Sequence, residues 1–171
     1  MAKVYLGLGS NVEPHKYLRL GVTELARRFG ELELSSVYRN APLGFDGDEF
    51  LNLVLGLETD AAPEAIQACL EDIHALAKRE RGGSRFAART LDIDLLLYAD
   101  LVSDEPSLRL PRPDVLEYSF VLCPLAEIAP DLRHPGTGRL ITEHWAEFDK
   151  DSHPLTITSV RLQDAESKYA Q

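Results

Sequence analysis

The 171-residue sequence predicts one α+β domain, and two kinds of pattern support this. Several short segments alternate apolar with polar residues, which is typical of strands, whereas two longer segments repeat apolar residues at helical spacing. The segments follow one another in the order β-α-β-β-α-β, with hairpin-like and helical connections. That order predicts a ferredoxin-like βαββαβ core with additional strands and helices, in three layers, α-β-α.

The first half of this core consists of residues 3–8 as a strand, residues 15–29 as a helix and residues 32–38 as a second strand. Leu18, Val22 and Leu25 recur at helical spacing, and Gly30 ends the helix. Gly7-Leu8-Gly9-Ser10-Asn11 closes the first strand, but it lacks the third glycine of a dinucleotide-binding loop and a Walker lysine. We therefore expect these glycines to allow close backbone packing or to lie near a ligand.

Residues 50–58 predict the third strand, with leucines 51, 53, 55 and 57 on one face and Phe50, Asn52 and Val54 on the other. The second helix begins near Pro63. After the fourth strand, we expect a hairpin around residues 103–104, a short apolar segment at 120–122, a last helix at 140–148 and an edge strand within 153–162. Residues 1–162 form the single domain, and residues 163–171 should fray.

The fourth strand carries two aspartates immediately after a group of arginines. Its first face would hold Asp92, Asp94 and Leu96, and its other face Ile93, Leu95 and Leu97. Two carboxylates one strand period apart suit Mg²⁺, which favours a few carboxylate oxygens together with substrate phosphates. The basic residues of this segment suit phosphate oxygens in turn: Lys78, Arg79, Arg81, Arg85 and Arg89.

Two aspartates at the start of a strand are also common as solvated residues of a sheet edge or a turn, with no metal bound. Here the apolar run that follows predicts a buried strand, in which Asp94 needs a partner, and a cation is a suitable one. The pattern therefore favours nucleotide-dependent phosphoryl chemistry.

Composition narrows the classes of partner. The formal net charge of −10 argues against nucleic acid and against an anionic membrane surface, because both require a basic field. No apolar run approaches the length of a membrane span, and no secretion signal is evident. The two cysteines, Cys69 and Cys123, make no disulfide framework and no metal spacing. We expect a cytoplasmic, monomeric protein with small-molecule substrates.

Seven short motifs, taken in this order, make the sequence resemble one enzyme family over residues 4–148. They are Leu8-Gly9-Ser10-Asn11, Ser36-Val37-Tyr38-Arg39, Pro42-Leu43-Gly44, Phe50-Leu51-Asn52, Arg89-Thr90-Leu91-Asp92-Ile93-Asp94, Phe120-Val121-Leu122 and Pro124-Leu125-Ala126-Glu127-Ile128-Ala129-Pro130. The family is that of the 6-hydroxymethyl-7,8-dihydropterin pyrophosphokinases of folate biosynthesis, which transfer pyrophosphate from ATP to the pterin hydroxymethyl group.

The resemblance implies a role for each matching position. Asp92 and Asp94 would hold two Mg²⁺ ions that bridge ATP and the pterin hydroxyl. Four arginines would bind the triphosphate: Arg79, Arg81, Arg85 and Arg89. Of these, Arg79 and Arg89 would also be catalytic. Phe50 and Phe120 would stack on the two faces of the pterin ring, and the side-chain amide of Asn52 would hydrogen-bond its edge. Asn40 and Leu43 would add backbone contacts, and Phe86 would close the site over the pterin.

The sequence differs from the family pattern at several positions, among them Lys78, in place of a glycine, and residues 86–88, in place of a Trp-Gly-Pro segment. Three further differences concern side chains near the expected site. His74 stands where a glutamate is usual, Arg112 where a histidine is usual, and Tyr118 where an arginine precedes Phe120. We expect Arg112 to keep positive charge beside the nucleotide, and we place His74 with the nucleotide-binding residues.

Two other hypotheses remain open from the sequence. One is a related pterin or nucleotide transferase with a different acceptor. The other is a non-catalytic pterin- or nucleotide-binding protein or a ferredoxin-like RNA binder, although the negative charge and the retained aspartates speak against these.

Overall fold

The computed structural model describes residues 1–42, 47–80 and 90–163. Its strands are β1 (Ala2–Ser10), β2 (Glu33–Leu34), β3 (Tyr38–Asn40), β4 (Phe50–Thr59), β5 (Asp92–Tyr98), β6 (Ser103–Glu105), β7 (Leu108–Leu110) and β8 (Thr156–Ile157). Its helices are α1 (Pro14–Phe29), α2 (Pro63–Glu80), α3 (Asp114–Glu117), α4 (Ser119–Ile128) and α5 (Ile141–Glu147). In this part of the chain, no helix combines the length and the apolar character that crossing a membrane requires.

The main sheet has the strand order β5-β1-β4-β3-β8, and β2 also pairs with β4. Every pair within it is antiparallel. The two central strands, β1 and β4, pair along nine residues, from Ala2 with Thr59 to Ser10 with Leu51. With α1 after β1 and α2 after β4, this confirms the predicted βαββαβ core. A separate hairpin, β6-β7, follows β5.

Helices cover the sheet on both faces, as the three-layer prediction requires. On one face, Leu18 of α1 and Ile73 of α2 pack with inward leucines of β1, β4 and β5. On the other face, Leu122 of α4 and Ile141 of α5 pack with Val54 of β4. The alternation predicted for β4 is therefore confirmed, because its odd-numbered leucines and its even-numbered Val54 belong to opposite cores.

The predicted strand at residues 32–38 divides into β2 and β3. At the interruption, the backbone N–H of Ser35 donates to the carbonyl oxygen of Val54 at 2.9 Å, and the hydroxyl of Ser35 accepts from the N–H of Val54 at 3.0 Å. A side-chain oxygen thus replaces the backbone partner, which apolar alternation in the sequence does not reveal.

The predicted faces of β5 are right for Leu96 and wrong for Leu97. Leu6 of β1 pairs with Leu95 and Tyr5 pairs with Leu97, so Leu96 is one extra residue in β5. Because of this bulge, Leu96 and Leu97 both join the core on the side of α4. The carbonyl oxygen of Leu96 accepts a hydrogen bond from the backbone N–H of Arg112 at 2.9 Å.

Three further elements differ from the prediction. The segment predicted as a short apolar stretch at 120–122 is the ten-residue helix α4, which contains Pro124. Burial of Val121, Leu122 and Leu125 stabilises this helix despite the hydrogen bond that the proline removes. Strand β1 runs through both glycines to Ser10, and the predicted edge strand is present only as β8.

Candidate active site

A cleft of about 250 Å³ lies beside β1, β4 and β5 on the side of α4. Six residues that the sequence identified line it together: Asn40, Phe50, Asn52, Asp92, Asp94 and Phe120. Further lining residues include Gly7, Gly9, Leu96, Asp114 and Tyr118. The cleft combines apolar rings, side-chain amides and carboxylates, which is the composition expected of a site for a polar planar ligand.

Aromatic side chains from two different layers form part of the cleft wall. Phe50 begins β4, and Phe120 lies in the first turn of α4. Tyr118 stacks on Phe120, with ring centroids 5.0 Å apart and ring planes inclined by 13°. The rings offer flat apolar surface, and Tyr118 enlarges the surface that Phe120 provides.

Two buried amides form the polar side of the same cleft. Asn52 and Asn40 are 8% and 7% exposed, and the side-chain amide of Asn52 donates to the side-chain oxygen of Asn40. On its other side, Asn52 approaches Gly9 so closely that a Cβ added there would lie 2.6 Å from Oδ1 of Asn52. The glycine therefore allows the close approach that its sequence motif suggested.

The carboxylates Asp92 and Asp94 lie on the partner strand, opposite Gly9 and Gly7 of β1. Burial, and next the neighbouring charge of Asp92, raise the pKa of Asp94 to about 6, whereas Arg112 acts to lower it. Nη2 of Arg112 lies 3.5 Å from Oδ1 of Asp94, and its Nε lies 3.3 Å from Oδ1 of Asp114. A single guanidinium thus partly offsets the charge of two carboxylates.

A second cleft, of about 680 Å³, lies on the other side of these carboxylates. Asp94 and Asp114 line both clefts, and Arg112 and Arg109 line the second. The aspartates therefore mark the border between a small aromatic cleft and a larger, more polar one that contains arginines. Such an arrangement can bring two ligands together at one set of carboxylates.

The carboxylates fit a magnesium ion that arrives with a phosphate ligand. Mg²⁺ binds through one or two carboxylates and completes its coordination with water and phosphate oxygens. The neighbouring charge of Asp92 helps to raise the pKa of Asp94, and a divalent cation would relieve the repulsion between the two carboxylates. Within residues 1–42, 47–80 and 90–163, no three His, Cys, Asp or Glu side chains converge to bind a metal without such a ligand.

His74 lies on α2 and contacts the backbone of β5. Its Nε2 accepts a hydrogen bond from the N–H of Ile93 at 2.9 Å, and its Nδ1 lies 3.4 Å from Oε1 of Glu71. The residue lines neither of the two clefts described above. His74 therefore contacts strand β5 at Ile93, the residue between the two aspartates.

The remaining predicted residues are distributed as follows. Arg112 lines the second cleft, and Arg79 is exposed in the last turn of α2. Five predicted residues lie outside the described ranges: Leu43, Arg81, Arg85, Phe86 and Arg89.

Sequence reasoning did not assign a role to Asp114, which borders both clefts and contacts Arg112. Its position two residues after Arg112 was the available signal. It also treated Tyr118 only as a departure from the family pattern, although aromatic spacing with Phe120 pointed to a shared surface.

Comparison with known proteins identifies the family. A family model described as 7,8-dihydro-6-hydroxymethylpterin-pyrophosphokinase matches residues 5–130. A pyrophosphokinase from Methylorubrum extorquens, named for 2-amino-4-hydroxy-6-hydroxymethyldihydropteridine, is 41% identical over 138 residues, or 77% of this chain and 85% of the relative. The same name belongs to an Aquifex aeolicus protein that is 36% identical over 138 residues, or 79% of this chain and 85% of the relative.

Solved structures agree on the fold. An HPPK-DHPS crystal structure from Plasmodium falciparum, with pterin and p-hydroxybenzoate, superposes with a TM-score of 0.71 at 13% identity. The match covers 93% of this chain and 46% of that longer chain. The fold, the cleft and the sequence matches lead to one conclusion: the chain belongs to the 7,8-dihydro-6-hydroxymethylpterin pyrophosphokinase family.

Proposed function

We propose that this protein transfers pyrophosphate from ATP to the hydroxymethyl group of 6-hydroxymethyl-7,8-dihydropterin, giving AMP and the pterin diphosphate. The observation that carries the proposal is the sharing of Asp94 and Asp114 by an aromatic, amide-lined cleft and an arginine-containing cleft. The first has the chemistry to bind a pterin, and the second has the chemistry to bind a nucleotide. The reacting groups would meet at the carboxylates.

In the smaller cleft, Phe50 and Phe120 stack against the pterin ring, and Asn52 hydrogen-bonds its polar edge. Stacking provides most of the affinity and is tolerant of chemical detail, whereas a buried amide discriminates between ring edges. Asn40 contributes on the same side of the cleft. The hydroxymethyl group then extends towards Asp92 and Asp94.

In the larger cleft, Arg112 can exchange part of its contact with Asp94 for a phosphate oxygen. Its Nη2 is 3.5 Å from the carboxylate, which is a loose contact for an ion pair, while Asp114 holds the Nε side of the guanidinium. We place Arg79, Arg81, Arg85 and Arg89 with the same triphosphate, and Leu43 and Phe86 with the pterin, on the family resemblance.

Two Mg²⁺ ions, held by Asp92 and Asp94, would neutralise phosphate charge and polarise the reacting oxygens. The hydroxymethyl oxygen attacks the β-phosphorus of ATP in line, and AMP leaves. The side chains of this site contribute position and charge rather than covalent chemistry. Residues 1–162 serve as one catalytic domain of a monomer, and two free thiols suit the reducing cytoplasm.

The first test replaces each carboxylate and measures AMP release from ATP in the presence of the pterin. Asp92→Ala and Asp94→Ala should each lower turnover by about 100-fold or more, because a preorganised electrostatic element commonly contributes this much. Asp104→Ala in strand β6, an exposed carboxylate outside both clefts, is the matched control and should retain activity.

Three results would count against the assignment. Near wild-type turnover in both carboxylate variants would reject the metal site. AMP release that is independent of the pterin would indicate another acceptor. Tight binding of both ligands by the unaltered protein without AMP release would identify a non-catalytic relative.

A further inference from the structure

We infer that Asn40 is a positioning residue for pterin specificity, because its side chain fixes which end of the Asn52 amide faces the ligand. This inference rests on the proposed function. Asn40 and Asn52 are neighbours across the β3–β4 ladder, in which Asn40 pairs with Phe50 and Tyr38 pairs with Asn52. Both side chains are buried, so neither amide has bulk water as an alternative partner on its inner side.

The two amides and one backbone carbonyl form a continuous series of hydrogen bonds. Nδ2 of Asn40 donates to the carbonyl oxygen of Ala41 at 3.0 Å. Oδ1 of Asn40 then accepts from Nδ2 of Asn52. The series therefore runs from Asn52 through Asn40 to Ala41.

The direction of this series is set by its last member. A side-chain amide can rotate by half a turn and exchange oxygen for nitrogen, but a backbone carbonyl can only accept. If Asn40 rotated, its oxygen would face the oxygen of Ala41. If Asn52 rotated alone, its oxygen would face the oxygen of Asn40. Either change places two acceptors in contact, so the carbonyl of Ala41 determines the orientation of both amides.

The opposite side of Asn52 shows the consequence for a ligand. Oδ1 of Asn52 lies above Gly9, where an added Cβ would be only 2.6 Å away, and both residues line the smaller cleft. Asn52 therefore presents two groups of fixed position to a ligand in the cleft: Oδ1 as an acceptor and, beside it, the second N–H of Nδ2 as a donor. The ligand edge that fits presents an N–H donor next to an acceptor, which is the pattern of a cyclic amide.

This pattern distinguishes a pterin from its 4-amino analogue. A pterin has a ring N–H beside the 4-oxo group, whereas a 2,4-diaminopteridine has a ring lone pair beside an amino group. With Asn52 fixed, the first complements the amide and the second opposes it. We expect the unaltered protein to prefer 6-hydroxymethylpterin over 2,4-diamino-6-hydroxymethylpteridine by about tenfold or more, since mispaired buried polar groups are costly.

The test measures this preference by calorimetry in three variants. Asn40→Leu removes both hydrogen bonds at similar side-chain size, so Asn52 can rotate, and the preference should fall to nearly none. Asn40→Asp keeps an oxygen towards Asn52 and should retain most of the preference. Tyr38→Phe, in the same strand as Asn40, is the matched control. It removes the hydrogen bond from Tyr38 to Oε1 of Glu127 in helix α4 and leaves the amides untouched.

A second measurement requires no ligand and separates this inference from the proposed function. The chain contains three asparagines, so selective ¹⁵N labelling gives three side-chain amide pairs. One Asn52 amide proton should exchange slowly with solvent in the unaltered protein, in Asn40→Asp and in Tyr38→Phe. It should exchange rapidly in Asn40→Leu.

Two outcomes would overturn the inference: rapid exchange of both Asn52 amide protons in the unaltered protein, or an equal loss of preference in Asn40→Leu and Asn40→Asp. If the unaltered protein bound neither pteridine, the proposed function would fail, while the exchange rates would still decide the role of Asn40.

Discussion

Ionisation of Asp94 is disfavoured by its surroundings in the folded protein. Its pKa is raised to about 6, first by burial and then by Asp92. A carboxyl group whose pKa is higher in the folded than in the unfolded chain binds its proton more tightly when folded. The stability that the folded protein gains by keeping Asp94 protonated is therefore fully present below about pH 4 and is lost as the pH rises through about 6.

We therefore predict a pH-dependent effect of Asp94→Asn. Without metal, the variant should exceed the wild type in free energy of unfolding at pH 8 by roughly 1–3 kcal/mol, and the difference should shrink towards pH 4. Urea unfolding in the presence of a chelator measures both values, with Asp104→Asn as the control. The same difference at both pH values would contradict this explanation.

At Gly9, the absence of a side chain is the functional feature. We predict that Gly9→Ala weakens pterin binding by about tenfold or more, because its Cβ would displace Oδ1 of Asn52, which lies 2.6 Å from that position. Gly7→Ala is the matched control in the same strand, because its Cβ would meet Leu96 at 3.3 Å, a contact that side-chain adjustment can relieve. Calorimetric titration should show a much smaller loss in the control, and equal losses would reject the explanation.

At the scale of secondary structure, the long elements were predictable from the sequence because their apolar periods are regular. Helix α1 and strand β4 match the predictions to within one residue. Errors occurred where a local polar contact replaced the regular ladder. The hydroxyl of Ser35 divides β2 from β3, and one extra residue in β5 reverses the face of Leu97. Neither event changes the hydrophobic pattern that a sequence displays.

Part of the cleft lining was predictable for a related reason. Phe50 and Asn52 share a strand face by alternation, and Asp92 and Asp94 do likewise, so spacing alone predicted that the members of each pair lie together. The roles proposed for Phe50 and Asn52 came from the family resemblance. The meeting of these pairs depends on the order of strands, in which β1 separates β4 from β5. The contact of His74 with Ile93 depends on how α2 packs against β5, and no spacing rule contains that distance.

Helix α2 is connected to the aspartate strand through His74. We predict that His74→Leu lowers the free energy of unfolding by about 1–3 kcal/mol, because the N–H of Ile93 loses its acceptor. His74→Gln, which offers an amide oxygen, should lose clearly less. Urea unfolding and hydrogen exchange at the Ile93 amide measure the effect, and similar losses in both variants would show that packing, not the hydrogen bond, matters.

The same variants address the nucleotide role predicted for His74. If ATP affinity falls in His74→Leu without a matching loss in His74→Gln, the imidazole acts through the strand. A loss of ATP affinity in both variants, with stability preserved in His74→Gln, would instead support direct contact with the nucleotide.

At the scale of the whole molecule, the family match ends at residue 130, yet the chain continues across the sheet edge. Strand β8 pairs with β3, and Thr158 donates to the carbonyl oxygen of Val37 from both its N–H and its hydroxyl. Leu162 is 5% exposed within the core. The ring of His153 lies 5.7 Å from that of Tyr118 and 6.4 Å from that of Phe120.

We therefore predict that residues 149–163 support both the fold and the pterin cleft. A chain ending at Phe148 exposes the outer edge of β3, removes Leu162 from the core and leaves the Tyr118–Phe120 stack without His153. It should lose about 2–5 kcal/mol in free energy of unfolding, as expected for a deleted core leucine with neighbouring contacts, and it should bind pterin more weakly. A chain ending at residue 163 is the matched control and should equal the full chain in urea unfolding and pterin titration. Unchanged pterin affinity in the shorter chain, measured where it is still folded, would show that the C-terminal segment serves the fold alone.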